Sequence, residues 1–210
     1  MKILIIYDTA SVNRNTDKVA NAMRDVLVEK GFDVDCLYVK DVDPASVKNY
    51  DCVLAGSPTQ WHKATGPVMQ FLDRLGEGAF SGKLAAAFDT QFQMPLSGNA
   101  AKGIEKKLEK LGFKIVMPSL VTYVQSKKDV EGKSGIQLKD GELEKAKKYA
   151  EDLVHKLTNN VYSVPSVMEA KVVSILIVVV FPAPLGPMKP NSSPSSTEKE
   201  MWSTALTVFL

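Results

Sequence analysis

Over residues 1–158, apolar and polar positions follow two alternating rhythms. Short, nearly unbroken apolar runs recur as ILIIY (Ile3–Tyr7), DVDCLYV (33–39), CVLAG (Cys52–Gly56), LAAAFD (Leu84–Asp89) and KIVMPSLVTYV (Lys114–Val124). Runs of this kind fit strands covered on both faces. The last is expected to break at Pro118, because proline lacks the N–H that a ladder needs. Between them the spacing becomes helical: Thr16–Lys30 places Val19, Ala20, Met23, Val26 and Leu27 on one face, and Gly31 is a natural stop. Further helices are predicted at about Thr65–Leu75, Asn99–Leu111 and Glu142–Leu157. Strand and helix in regular succession predict an α/β sandwich, a parallel sheet with helices on both faces.

After residue 158 both rhythms stop. Residues 159–210 hold six of the chain's eleven prolines, and the Lys/Glu-rich helical pattern disappears. This is expected to be an irregular Ser/Pro-rich tail. Its apolar segment VVSILIVVVF (172–181) is followed by Pro182, Pro184 and Pro187. The ~20 uninterrupted residues that cross a bilayer are therefore lacking. A membrane anchor is the weaker reading of this segment; a β-prone stretch or appended sequence without a role of its own is the plainer one.

A doubly wound sheet binds ligands beyond the carboxyl ends of its strands, where the winding reverses. That directs attention to three loops: DTASVNRNT (8–16), SPTQWHKATG (57–66) and TQFQMPLSGNA (90–100). The first places Asp8, Thr9, Ser11, Asn13, Asn15 and Thr16 just ahead of a helix. Unpaired N–H groups and the positive end of the helix dipole attract phosphate there. The same residues also serve as ordinary helix caps on a polar surface loop. Neither G-x-x-x-x-G-K-[ST] nor G-x-G-x-x-G occurs, which argues against ATP hydrolysis and against ordinary dinucleotide binding on the first strand.

The second loop joins Ser57, Pro58, Thr59 and Gln60 to Trp61 and His62. Trp61 is either an anchor packed against the domain or a flat platform for an aromatic heterocycle. The third loop offers Thr90, Gln91 and Phe92, with Ser97–Asn99 as a helix start. His62 and His155 are too far apart in the sequence to suggest a metal set or a catalytic triad, so no catalytic or metal residue is assigned.

Charge changes little. The chain has 26 Lys and Arg against 24 Asp and Glu, with no basic cluster interleaved with aromatics, so nucleic acid is not an expected partner. Cys36 and Cys52 lie in apolar runs outside any C-x-x-C and read as small buried hydrophobes. The N-terminus runs too soon into polar residues for a signal peptide, and a cytoplasmic location is expected.

The order and spacing of ILIIYDTASVNRNTDKVA, VLAGSPTQWHKATGPVMQFLDRL and GKLAAAFDTQFQMPLSGNAAKGIEKKLEKLGFKIV resemble the flavodoxin superfamily over residues 1 to about 158. VEGKSGIQLKDGELEKAKKYAEDL is similar to the closing segment of its short-chain members. The resemblance implies a flavodoxin-like three-layer sandwich with five parallel strands in the order 2-1-3-4-5, binding flavin mononucleotide (FMN). It places Thr9, Ser11, Asn13, Arg14, Asn15 and Thr16 around the phosphate, Ser57–Gln60 and Thr90–Phe92 near the ribityl chain or ring, and Trp61 beside the isoalloxazine. One departure stands out: Arg14 occupies the family's glycine position in a slightly longer loop. Either Arg14 supplies charge to the phosphate, or flavin binds weakly, or the site is degenerate.

Three functions follow as expectations. The first is an electron carrier serving a redox partner protein or a small acceptor. The second is an FMN-dependent NAD(P)H:quinone reductase-like oxidoreductase, and the third a non-catalytic domain with a vacant site. The near-balance of charge gives no large negative field for docking basic partners, which distinguishes this chain from strongly acidic carriers.

Overall fold

A computed structural model of the chain describes residues 1–94, 98–128 and 134–162. The tail expected at 159–210, with its apolar segment 172–181, lies outside the described residues from 163 onward. In chain order the elements are β1 (Lys2–Tyr7), α1 (Asn15–Glu29), β2 (Asp33–Tyr38), β3 (Cys52–Gln60), β4 (Lys63–Ala64), α2 (Gly66–Asp73), β5 (Leu84–Phe92), α3 (Ala100–Lys110), β6 (Lys114–Ile115), β7 (Leu120–Lys128), β8 (Ser134–Leu138) and α4 (Glu142–Tyr162), with two short 3-10 turns between β2 and β3.

The sheet order is β2-β1-β3-β5-β7-β8. Pairing is parallel as far as β7, and β8 then returns antiparallel on its outer edge, Val124 facing Leu138 and Lys128 facing Ser134. The expectation of a simple five-stranded parallel sheet is corrected on this point: the sheet is mixed, with β8 at one edge and short β4 and β6 paired to β3 and β5. SGIQL has too few apolar residues to read as a strand, because an edge strand needs only one face against the protein. Pro118 does split the fifth run, into β6 and β7.

Two cores lie on the two faces of the sheet, and parity along β1 assigns its residues to them. Leu4 and Ile6 join Phe71 and Leu72 of α2 and Ile104 and Leu108 of α3. Ile3, Ile5 and Tyr7 join Met23 and Leu27 of α1 and Leu153 and Leu157 of α4. This explains why the run is continuous rather than alternating. Cys52 is buried and Cys36 half-buried, both as free thiols. Burial pushes both up to about 12, so they pack as small hydrophobes. Among the described residues no helix is long and apolar enough to cross a membrane.

Candidate functional site

Beyond the carboxyl ends of β1, β3 and β5 lies a cleft of about 270 Å³. Nine of the residues expected at a site line it: Ser11, Asn15 and Thr16 from the first loop and helix, Pro58, Thr59 and Gln60 from β3, and Thr90, Gln91 and Phe92 from β5. Ala10 of the first loop, Val124 of β7 and Ile136 of β8 complete the wall, and the last two were not anticipated. They enter only through strand pairing with distant segments.

The secondary structure of this wall differs from the sequence reading. Ser57–Gln60 and Thr90–Phe92 are not loops but the last residues of β3 and β5, paired Ser57 to Asp89 and Pro58 to Thr90. β1 pairs with β3 only as far as Tyr7 opposite Gly56. Past that point β3 is open on the cleft side, so Pro58 withholds no hydrogen bond that a neighbouring strand needs. The polar residues Thr59, Gln60, Thr90 and Gln91 line the cleft, which breaks the apolar run early.

The first loop enters α1 through Arg14, whose φ of 49° and ψ of 48° are left-handed. A conformation that favours glycine is thus kept by an arginine, at a cost of roughly 1–2 kcal/mol. No side chain caps the helix. The N–H groups of Asn15, Thr16 and Asp17 therefore have no intrahelical acceptor, and the capping explanation for this polar loop does not apply. Thr16 is buried and its hydroxyl lies 2.8 Å from that of Thr90. The amides of Asn13 and Asn15 both donate to the carbonyl of Ile136, at 2.8 and 2.9 Å, which fastens the loop to β8. Two buried polar atoms of this region, Thr9 Oγ1 and Asn15 Oδ1, have no partner among the described residues.

The remaining expected residues lie around the cleft rather than in it. The Arg14 guanidinium pairs with Asp17 at 3.3 Å, and Asp17 also accepts from the Tyr7 hydroxyl. Arg14 therefore balances a carboxylate of its own helix. Ser57 is buried beneath the wall, where its Oγ accepts from the Thr65 N–H at 2.9 Å and so fixes the turn into α2. Trp61 stands on the rim, 93% exposed, and both it and His62 have positive φ, 49° and 68°. That exposure removes the packed-anchor reading of Trp61. The rim is held by a bridge from His62 to Gly98. A Cβ on Gly98 would come within 2.4 Å of the His62 Cα, so the close approach requires glycine there. Asn99 caps α3, as its Oδ1 accepts from the Lys102 N–H at 2.8 Å.

Asp89 escaped the sequence reading because it ends an apolar run like any strand-terminal acid. It is fully buried, its Oδ2 accepts from the Thr59 hydroxyl at 3.0 Å, and its Oδ1 has no partner among the described residues. Burial raises its carboxyl to about 6, against the lowering effect of N–H groups from Ala101 and Ala100, the Thr59 hydroxyl and Lys145.

A doubly wound sheet whose strand ends meet an uncapped helix start, with an exposed aromatic on the rim, is an arrangement that can accept an anionic ligand beyond the strand ends. The chain belongs to the flavodoxin family, whose family model matches residues 5–135. It is 28% identical over 122 residues to a probable flavodoxin 1 of Bacillus subtilis, covering 57% of this chain and 75% of that protein. It is 29% identical over 116 residues to an uncharacterized protein of Methanocaldococcus jannaschii, covering 55% of this chain and 71% of the relative. A solved flavodoxin from the domain Archaea superposes with a TM-score of 0.61 at 25% identity, over 75% of this chain and 99% of that one. Fold and family are those of FMN-binding electron-transfer proteins.

Proposed function

We propose that the cleft holds FMN and that the protein carries electrons between a redox partner protein or small acceptor and a donor, with residues 1–158 as the working unit. The observation that carries this reading is the uncapped start of α1, opening beside the hydroxyls of Ser11 and Thr16. An anion with several acceptor oxygens matches those donors. The unpartnered Asn15 Oδ1 suits a ligand hydroxyl, as on a ribityl chain, and Thr9 Oγ1 can take either role. Pro58–Gln60 and Thr90–Phe92 would flank the flat ring, and Trp61 offers it an exposed aromatic face.

FMN supplies the redox chemistry when bound, and the chain's residues bind it, orient it and limit water around it. On this reading no side chain of the cleft need act as an acid or base. The left-handed Arg14 supports a working site over a degenerate one: strained backbone persists where the surroundings impose it, commonly at ligand sites. Its guanidinium, engaged by Asp17, is assigned to holding the loop rather than to the phosphate.

Calorimetric titration with FMN and riboflavin tests the assignment. FMN should bind much more tightly, and the complex should absorb visible light. Equal affinities would remove the phosphate from the loop. Absence of binding by both would leave the fold without its flavin. In the loaded protein NADH or NADPH alone should leave the flavin oxidised; rapid bleaching would select the reductase reading instead.

A further inference from the structure

Asp89 does not line the cleft, but Thr59 does, and the two are joined. Thr59 Oγ1 lies 3.0 Å from Asp89 Oδ2 and accepts the Ala100 N–H at 3.1 Å. Asp89 Oδ2 also takes a longer bond from the Ala101 N–H, 3.4 Å. A hydroxyl has one proton and two acceptor lone pairs. With Asp89 ionised, the Thr59 proton is committed to the carboxylate and one lone pair to Ala100, so what remains for the cleft is a lone pair. With Asp89 protonated on Oδ2, the acid donates to Thr59 and Ala100 fills the second lone pair. The Thr59 proton is then released toward the cleft.

We infer that Asp89 is a positioning residue that sets the hydrogen-bond polarity of Thr59 toward the flavin, making it an acceptor when Asp89 is ionised and a donor when it is protonated. This rests on the flavin reading above. The surroundings keep both states within reach. Burial disfavours the charge, Oδ1 has no donor among the described residues to soften it, and the carboxyl is raised to about 6. The groups that act on it are the Ala100 and Ala101 N–H groups of α3, the Thr59 hydroxyl of β3, and Lys145 of α4, all favouring the anion. From β7 the Thr122 hydroxyl binds the Asp89 carbonyl at 2.6 Å and fixes the backbone. The polar edge of an oxidised flavin ring carries carbonyl and ring-nitrogen acceptors and a single N–H donor between the two carbonyls, so the protonated state of Asp89 is the one that suits its acceptors.

Riboflavin is the probe, because the phosphate of FMN has its own ionisation near pH ~6 and would mask the effect. Its affinity is measured by fluorescence quenching at about pH 5 and about pH 7.5 for the wild type, Asp89→Asn, Thr59→Val and Thr59→Ser. Wild type and Thr59→Ser should bind about threefold to tenfold more tightly at the lower pH, the range of one neutral hydrogen bond. In Asp89→Asn and Thr59→Val the ratio should fall to about one. A purely structural role would change affinity equally at both pH values and leave the ratio untouched. Carbon NMR of the Asp89 carboxyl in ligand-free protein gives a second readout, expected to titrate near pH 6. Binding with the wild-type ratio preserved in Asp89→Asn overturns this inference alone, as does a carboxyl that stays ionised well below that pH. Binding of neither flavin overturns the flavin reading and this inference together.

Discussion

The two walls of the cleft are built on opposite terms. The loop wall, residues 8–16, is fixed by its own side chains: Thr16 against Thr90, Asn13 and Asn15 on one carbonyl of β8, and Arg14 on Asp17. The strand-end wall is fixed from underneath, by the β3–β5 ladder and the Asp89–Thr59 contact, while its outer side chains are left exposed. Trp61 is 93% exposed and Met94 60%. The polar end of the cleft thus needs no ligand to hold its shape, and the aromatic end keeps open surface that only a flat partner would cover. A substitution in the loop wall should damage fold and binding together. One on the outer strand-end wall should damage binding alone.

The largest effect is expected under the strand-end wall, where Asp89→Asn removes a charge that the fold disfavours. The folded carboxyl sits at about 6, above its ordinary value of 3.8. Between those values the folded protein holds a proton that the unfolded chain has released, so this group makes stability fall as pH rises from about 4 to about 6, with no further loss above. The full penalty applies at neutral pH, where it amounts to at most about 3 kcal/mol. Denaturant unfolding should find Asp89→Asn more stable than wild type at about pH 7.5, with the gap closing toward about pH 4. A gap independent of pH would show that the carboxyl is not ionised against its surroundings.

Next comes the loop wall itself. Thr16→Ala removes a hydroxyl assigned to the phosphate and leaves the buried Thr90 hydroxyl without its partner. A hydrogen bond to a charged group is worth about 1.5–3 kcal/mol, so FMN affinity should fall roughly 10- to 150-fold. Riboflavin affinity should barely change. The unfolding midpoint should fall as well, because the Thr16–Thr90 contact ties α1 to β5. Unchanged FMN affinity would take Thr16 out of the phosphate site.

How far the sequence reveals this arrangement depends on what each residue faces. Ile3–Tyr7 reads plainly as a strand because both of its faces enter cores, and Gly31 reads as a helix stop because its φ of 86° suits glycine. The chemistry of Ser11, Thr16, Thr59 and Thr90 is legible too, since polar residues recur where strands end. Their setting is not: Ser57–Gln60 continue a ladder, and the polarity that looks like a loop is the polarity of a cleft wall. β8 is hidden for a related reason, as an edge strand carries only half of the apolar signal. Asp89 could not have been found locally. Its significance comes from Thr59, thirty residues away, and from the start of α3, which only the folded sheet brings to it.

The smallest effect on the fold, and the cleanest separation of the two walls, is expected at Trp61. Its side chain is almost wholly in solvent, so Trp61→Ala removes little packing. Alanine is no easier to hold at a φ of 49° than tryptophan, and the backbone strain therefore stays where it was. Stability should change by less than about 0.5 kcal/mol, the usual range for a surface substitution. Binding should respond differently, because an aromatic face against a flat ring adds about 0.5–1.5 kcal/mol. Riboflavin and FMN should then lose affinity by the same factor, about two- to tenfold, since the ring is common to both and the phosphate is not involved. Trp61→Phe should recover part of that loss. Thr16→Ala should discriminate between the two ligands and lower stability, whereas Trp61→Ala should do neither. A Trp61→Ala protein that loses several kcal/mol of stability, or that binds both flavins as the wild type does, would remove the aromatic platform from the outer wall.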